Sequence, residues 1–219
     1  MSVHLQREIA KLKRELLSLC SLVEEQVQVS VRALLDRDTE LARSVENRDL
    51  EVDRREVEVE ENCLRMLALY QPVAIDLRLI VSALKINSDL ERIGDLAVNI
   101  AHKAVVLAAE PPPPTSFDMA GMAAKSQSML RDSIEALVNM DSKLANDVCA
   151  RDDEVDQSKR EVRREVEGMI QADPGLARRL LRLWAAARNL ERIADYATNI
   201  AEDVIYMVDG RIIRHQEGE

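Results

Sequence analysis

The chain has 219 residues, with 30 Lys and Arg against 40 Asp and Glu, and a formal charge of −10. That acidity argues against a nucleic-acid partner, whose footprint is a basic face, although Arg178, Arg179 and Arg182 could form a small positive patch. With one Trp, one Phe and three Tyr, the core has to be built from Leu, Ile, Val, Ala and Met, a composition suited to packed helices.

The first stripe runs Leu5, Ile9, Leu12, Leu16, Leu19, Val23, Val27, a helical period. A break near Asp36-Arg37-Asp38 ends that helix, and Asp38 or Thr39 can cap the next. The second helix carries Leu41, Val45, Val52, Val59, Cys63, Met66 and Tyr70 on one side. Pro72 falls in the first turn of a third helix, where its missing N–H costs nothing. That helix reaches about Ala109 and turns Ile80, Leu84, Leu90, Ile93, Ala97, Ile100 and Ala104 inward. Pro111 to Pro114 cannot be helical and divide the chain.

Beyond them, Thr115-Ser116-Phe117-Asp118 is an N-cap signal. A fourth helix packs Met122, Met129, Leu130, Ile134, Leu137, Leu144 and Val148. A fifth runs from about Asp152 to Asp173-Pro174-Gly175, and a sixth from there to Asp209, with Gly210 closing it. No strands are expected. The predicted fold is all-α: two tandem, similar three-helix antiparallel bundles. The first spans residues 1–110 and the second 116–210, with a Pro-rich linker at 111–115 and a tail at 211–219.

Cys20, Cys63 and Cys149 are isolated, odd in number and form no CxxC pair, as expected of reduced, packed thiols in a cytosolic protein. The first sixteen residues are studded with charges, unlike a secretory signal, and no uncharged apolar run reaches the length of a membrane span. These features predict a soluble, cytoplasmic protein without membrane insertion.

The two halves are a sequence repeat. Leu90-Glu91-Arg92-Ile93-Gly94-Asp95 returns one hundred positions later as Leu190-Glu191-Arg192-Ile193-Ala194-Asp195, each followed four residues on by an Asn, Asn99 or Asn199. Asp49-Leu50-Glu51-Val52-Asp53 likewise matches Asp152-Asp153-Glu154-Val155-Asp156, at an offset of 103. Each half therefore holds two acidic pairs at i, i+4, on one helix face. Counted outward from the turn at Gln71, Asp53 lies 18 residues before and Glu91 lies 20 after. At about 1.5 Å per residue the two pairs are level to roughly 2–3 Å, and the second half is level too.

Four carboxylates on one seam repel, unless a cation lies between them. All-oxygen donors select hard cations, meaning Fe(III), Mn, Mg or Ca, over Zn. The candidate ligands are Asp49, Asp53, Glu91, Asp95, Asp152, Asp156, Glu191 and Asp195. Asn99 and Asn199 could add amide oxygens or orient the carboxylates. The competing use of these acids is solvated salt bridges, with Arg54, Arg92, Arg160 and Arg192 as partners. His4, His102 and His215 are scattered; His102 lies seven residues after Asp95, but its counterpart is Glu202, so a surface position is expected. Arg78 could bind an anion.

The double helical repeat, Gln71-Pro72-Val73-Ala74-Ile75-Asp76-Leu77-Arg78 and the two LERI-type motifs resemble the PhoU family, from Leu5 to about Gly210. Asp173-Pro174-Gly175 departs from the family's Gln-Pro turn in the second half. The resemblance implies two similar three-helix bundles, and metal ions, iron first, on the acidic motifs. It also implies a cytoplasmic negative regulator of phosphate uptake and starvation signalling, with an indirect negative effect on transcription. Its partners would be the phosphate-transporter ATPase subunit and the phosphate-responsive sensor histidine kinase, with a homodimer as the expected assembly. No nucleophile paired with a base and no phosphate-cradling glycine loop is visible, so binding rather than catalysis is expected. A ferritin-like, carboxylate-bridged di-metal oxidase would need Glu-x-x-His pairs that this chain lacks. A metal-free helical adaptor is the other alternative.

Overall fold

The computed structural model describes residues 3–213; His215 and the end of the expected tail lie outside them. Seven α-helices run in the order α1 (Val3–Asp36), α2 (Thr39–Tyr70), α3 (Ala74–Ala108), α4 (Met119–Asn139), α5 (Ser142–Cys149), α6 (Asp152–Ala172) and α7 (Ala177–Asp209). Among the described residues there is no strand, and no helix is long and apolar enough to cross a membrane.

The helix ends follow local chemistry. Arg37 takes a left-handed conformation at φ 58°, and the Asp38 carboxylate accepts from the Glu40 and Leu41 N–H groups, which starts α2. Gln71, also left-handed, ends α2. Val73 is extended, so α3 begins at Ala74 and Pro72 lies just ahead of the helix rather than in its first turn. Asp118 caps α4 through the Gly121 N–H at 2.7 Å. Gly210 closes α7 at φ 72°.

The second half departs from the expected three helices in one place. The predicted fourth helix, drawn through Leu144 and Val148, stops at Asn139. Met140 is left-handed, and Asp141 accepts from the Lys143 and Leu144 N–H groups. The signal was present in the repeat: Asp141-Ser142 stands where Asp38-Thr39 stands in the first half. From there α5 and α6 together occupy the place of α2. They are separated by one tighter turn, in which the Arg151 N–H donates to Val148 O at 3.0 Å. Arg151 is held there by its guanidinium, 2.7 Å from Asp132 on α4. The described residues thus form six helical rods, one of them interrupted.

In the first half α1, α2 and α3 pack on one another; in the second, α4, α5 and α6 pack around α7. The halves then join through α3 and α7, which pack as extensively as α2 and α3 do, with α1 against α4 alongside. One hydrophobic cluster runs through both repeats, from Leu5 to Met207. The whole first stripe, from Leu5 to Val27, is buried.

Two features of the joint use up residues that looked available for ligands. The Arg179 guanidinium donates to Pro111 O at 2.9 Å, and Arg182 pairs with Glu110 at 2.7 Å. These arginines fasten the proline segment to α7 rather than presenting a basic patch. Arg78 lies against Gly210 at the C-terminal end of α7, where the partial negative charge of a helix end suits a guanidinium.

The three cysteines are free, Cys20 and Cys63 buried and Cys149 half-buried. Burial pushes the Cys20 and Cys63 thiols up to about 12 and Cys149 to about 11. A thiol whose pKa is raised stays protonated until the pH approaches that value, so at pH 8 roughly one Cys20 in ten thousand is ionised. Iodoacetamide at pH 8 is therefore expected to label the folded chain at least about 100-fold more slowly than the urea-unfolded chain. Mass spectrometry showing equal labelling rates would contradict this packing.

Candidate metal sites

The local reason for the site is the i, i+4 spacing of acids on helices whose buried faces are largely apolar. Val52 and Val59 on α2, and Leu90, Ile93 and Ala97 on α3, are buried. Their burial fixes the rotation of both helices, which brings Asp49 and Asp53 to face Glu91 and Asp95. On α6 and α7, Val155 and Val162 with Leu190, Ile193 and Ala197 do the same for Asp152, Asp156, Glu191 and Asp195.

The electrostatics report this facing across the helices. Burial, and then the charges of Asp53 and Asp95, hold Asp49 above the ordinary carboxylate range, against a hydrogen bond from Gln26 that lowers it. Glu91 is raised by burial, by Asp95 and by Asp53 and Asp49 across the seam. Asp152 is raised by burial and by Asp156, Asp153 and Glu191, opposed by a hydrogen bond from Thr198. Crowding by neighbouring atoms and the charges of Glu191 and Asp152 push Asp195 up to about 7, although the residue keeps an open edge to solvent. Asp49 and Glu91 form the half-buried floor of the first cluster, and Asp53 and Asp95 its exposed rim.

The salt-bridge alternative accounts for Glu91, Asp156 and Glu191, the last two through Lys159 at 2.7 and 2.5 Å, and not for the other five acids. Arg54 pairs with Glu51 at 2.6 Å and Arg192 donates to the Tyr196 hydroxyl at 3.4 Å, both away from the clusters. Arg92 touches Glu91 at 3.4 Å and Arg160 touches Asp156 at 3.5 Å, from exposed positions. Among the described residues no Lys, Arg or His lies within ion-pair distance of Asp49, Asp53, Asp95, Asp152 or Asp195.

The donor set fits a hard cation: hard oxygens, an excess of negative charge, and one buried oxygen without a partner. That oxygen is Gln26 Oε1; its amide Nε2 donates to Asp49 Oδ1 at 2.9 Å. Among the described residues no three His, Cys, Asp or Glu side chains already converge as a ligand set. In the first cluster, which has no bridging ammonium, facing carboxylates repel, and a cation would have to draw them in by side-chain rotation.

The remaining candidates fall outside the clusters. The Asn99 amide donates to the Asp95 carbonyl of its own helix at 2.9 Å, so it does not orient a carboxylate. His102 pairs with Glu46 at 2.8 Å on the surface, as its mismatch with Glu202 suggested. Sequence reasoning missed four residues: Gln26, Glu56, Lys159 and Thr198, whose hydroxyl lies 3.3 Å from Asp152. Gln26 carried a signal, being a polar residue inside the apolar stripe of α1.

Comparison with known proteins agrees with this architecture. The model of the PhoU domain matches twice, at residues 16–104 and 119–204. The phosphate-specific transport system accessory protein PhoU homolog of Aquifex aeolicus is 40% identical over 210 residues, covering 96% of this chain and 95% of that protein. The homolog of Pseudomonas aeruginosa is 39% identical over 209 residues, covering 95% of this chain and 86% of that protein. The crystal structure of PhoU from Pseudomonas aeruginosa superposes with a TM-score of 0.92 at 38% identity, covering 94% of this chain and 99% of that one. The phosphate transport system regulatory protein PhoU from Streptococcus pneumoniae gives 0.87 at 28% identity, covering 95% and 98%. With both repeats matched, and relatives aligned over nearly their full length, the chain belongs to the PhoU family.

Proposed function

We propose that this protein is a cytoplasmic accessory regulator of phosphate-specific transport. It acts by docking to the ATPase subunit of the phosphate transporter and to the phosphate-responsive sensor histidine kinase, restraining uptake and starvation signalling. The observation that carries this reading is the alignment over almost the whole length of both this chain and proteins named as accessory proteins of that transport system. An all-helical regulator recognises partners through helix faces. On α2 the exposed Leu50, Val57 and Leu64 recur every seventh residue along one such face. A homodimer is part of the proposal. Co-purification with cross-linking from phosphate-replete cells is expected to retrieve the ATPase or the kinase; recovery of neither from cells containing intact protein would refute the assignment.

The proposal includes hard cations, iron first, at the acidic clusters. A bound cation would offset the excess negative charge of a seam and tie its two helices together, stabilising the fold by linkage. Replacing Glu91→Gln with Asp95→Asn keeps shape and removes two negative donors from the first cluster. Metal per chain is expected to fall, and the chelator-treated variant to melt no lower than the chelator-treated parent, since repulsion is relieved. Acid is expected to release metal, because protons compete for the same oxygens. That no ligand set converges among the described residues favours a second reading, a metal-free adaptor. Metal analysis of the purified chain separates the two: no retained iron or manganese, and no rise in melting temperature on adding either, would establish the adaptor.

A further inference from the structure

The repeat allows the two acidic clusters to be compared position by position, and they differ where it matters. At the offset of 103 that relates α2 to α6, Glu56 stands opposite Lys159. Glu56 adds a fifth carboxylate to the first cluster. It is half-buried, it lies close enough to Asp53 and Glu91 to feel their charge, and it accepts from the Asn87 amide at 3.0 Å. In the second cluster the Lys159 ammonium reaches across the seam, 2.7 Å from Asp156 on its own helix and 2.5 Å from Glu191 on α7.

The floors differ too. Gln26 of α1 is fully buried at 0% exposure, its carbonyl oxygen without a partner beside Asp49. Gly94 borders the pair: a Cβ there would stand 3.4 Å from both Gln26 Oε1 and Asp49 Oδ1, in ordinary contact. The corresponding residues in the second half are Met129 and Ala194, both buried, and neither side chain supplies an oxygen.

We infer that the clusters have diverged. The first takes a hard divalent or trivalent cation on Asp49, Asp53, Glu56, Glu91 and Asp95 above the Gln26 carbonyl, whereas the second uses the Lys159 ammonium as its resident cation and takes no metal. This rests on the reading that these seams bind cations, and it assigns the binding to one of them. An ammonium between Asp156 and Glu191 joins α6 to α7 as a metal would join α2 to α3. A second positive ion in the same seam would have to displace it against its two ion pairs.

The test is equilibrium dialysis of the full chain against Mn²⁺ alone, with manganese per chain measured and folding checked by circular dichroism. The wild type is expected to retain Mn²⁺. Asp49→Asn/Asp53→Asn is expected to abolish retention, and Asp152→Asn/Asp156→Asn to leave it unchanged. Lys159→Glu, which recreates the acid found at position 56, is expected to add Mn²⁺ that Asp152→Asn/Asp156→Asn then removes, raising the content about twofold. Lys159→Met, which keeps the stem, is expected to melt lower than wild type in chelator and to gain more on adding Mn²⁺. Loss of metal from otherwise wild-type protein on Asp152→Asn/Asp156→Asn overturns the divergence while leaving the cation reading intact. Failure of the folded wild type to retain any Mn²⁺ overturns both.

Discussion

Ile193→Ala is expected to destabilise the entire chain by about 3 kcal/mol, in one unfolding transition. Ile193 is fully buried on α7, and α7 is the helix on which α4, α5, α6 and α3 all pack. Removing its three outer carbons loses their transfer free energy and leaves a cavity that helices anchored on several sides close only in part, whence the range of roughly 2–5 kcal/mol for such truncations. For a chain of this length that corresponds to a fall in melting temperature of roughly 8 °C. The informative readout is the number of transitions. Since one hydrophobic cluster runs through both repeats, the denaturant midpoint is expected to shift with the slope unchanged. Two separated transitions, with only one of them shifted, would show that the repeats unfold independently across the α3–α7 joint.

Lys85→Met is expected to cost about 2 kcal/mol, more than a surface ion pair is worth. Asp203 on α7 is 2% exposed, and its Oδ1 lies 3.1 Å from Lys85 Nζ on α3. The same ammonium sits 5.6 Å from the centre of the Tyr206 ring. The pair therefore crosses the joint between the repeats. Taking away the lysine leaves a carboxylate in a place where water reaches it poorly, and that desolvation is the larger part of the cost. The lysine stem is partly exposed, which keeps the cost below that of a fully enclosed pair. Adding Asp203→Leu to Lys85→Met is expected to recover most of the loss, because no buried charge then remains. A double-mutant cycle by urea unfolding measures the coupling. A cycle that closes to within about 0.3 kcal/mol would show that the two residues act separately.

The same joint explains why the acidic seams lie where they do. With Leu90, Ile93 and Ala97 on α3 and Leu190, Ile193 and Ala197 on α7 committed to the core, the polar faces of both helices have no freedom of rotation. Glu91 and Asp95, like Glu191 and Asp195, must face the neighbouring helix of their own repeat. Ile193→Ala and Lys85→Met therefore bear on the sites as well as on stability.

Most of the architecture was legible in the amino-acid sequence because it rests on short-range chemistry. The stripe from Leu5 to Val27, the cap at Asp38, the block at Pro111 to Pro114 and the closing Gly210 each act within a few residues. The register of Asp49 and Asp53 with Glu91 and Asp95 was legible for a related reason: the helix rise is constant, so counting from a turn is measuring. The stop at Met140 is encoded equally locally, in Asp141-Ser142, but Leu144 and Val148 continue an apolar period through it and mask it. Only the tertiary structure decided the rest. That α3 and α7 join the repeats, that Lys85 meets Asp203, and that Gln26 stands under Asp49 depend on which apolar face each helix buries, and several helices offer more than one. Lys159 shows the limit most clearly. In the sequence it is one lysine among many charges on an exposed-looking helix, and only packing α6 against α7 puts its ammonium between two carboxylates of different helices. Sequence spacing places residues on faces, whereas the choice of counter-charge for a buried carboxylate is made by whatever the packing brings within about 3 Å.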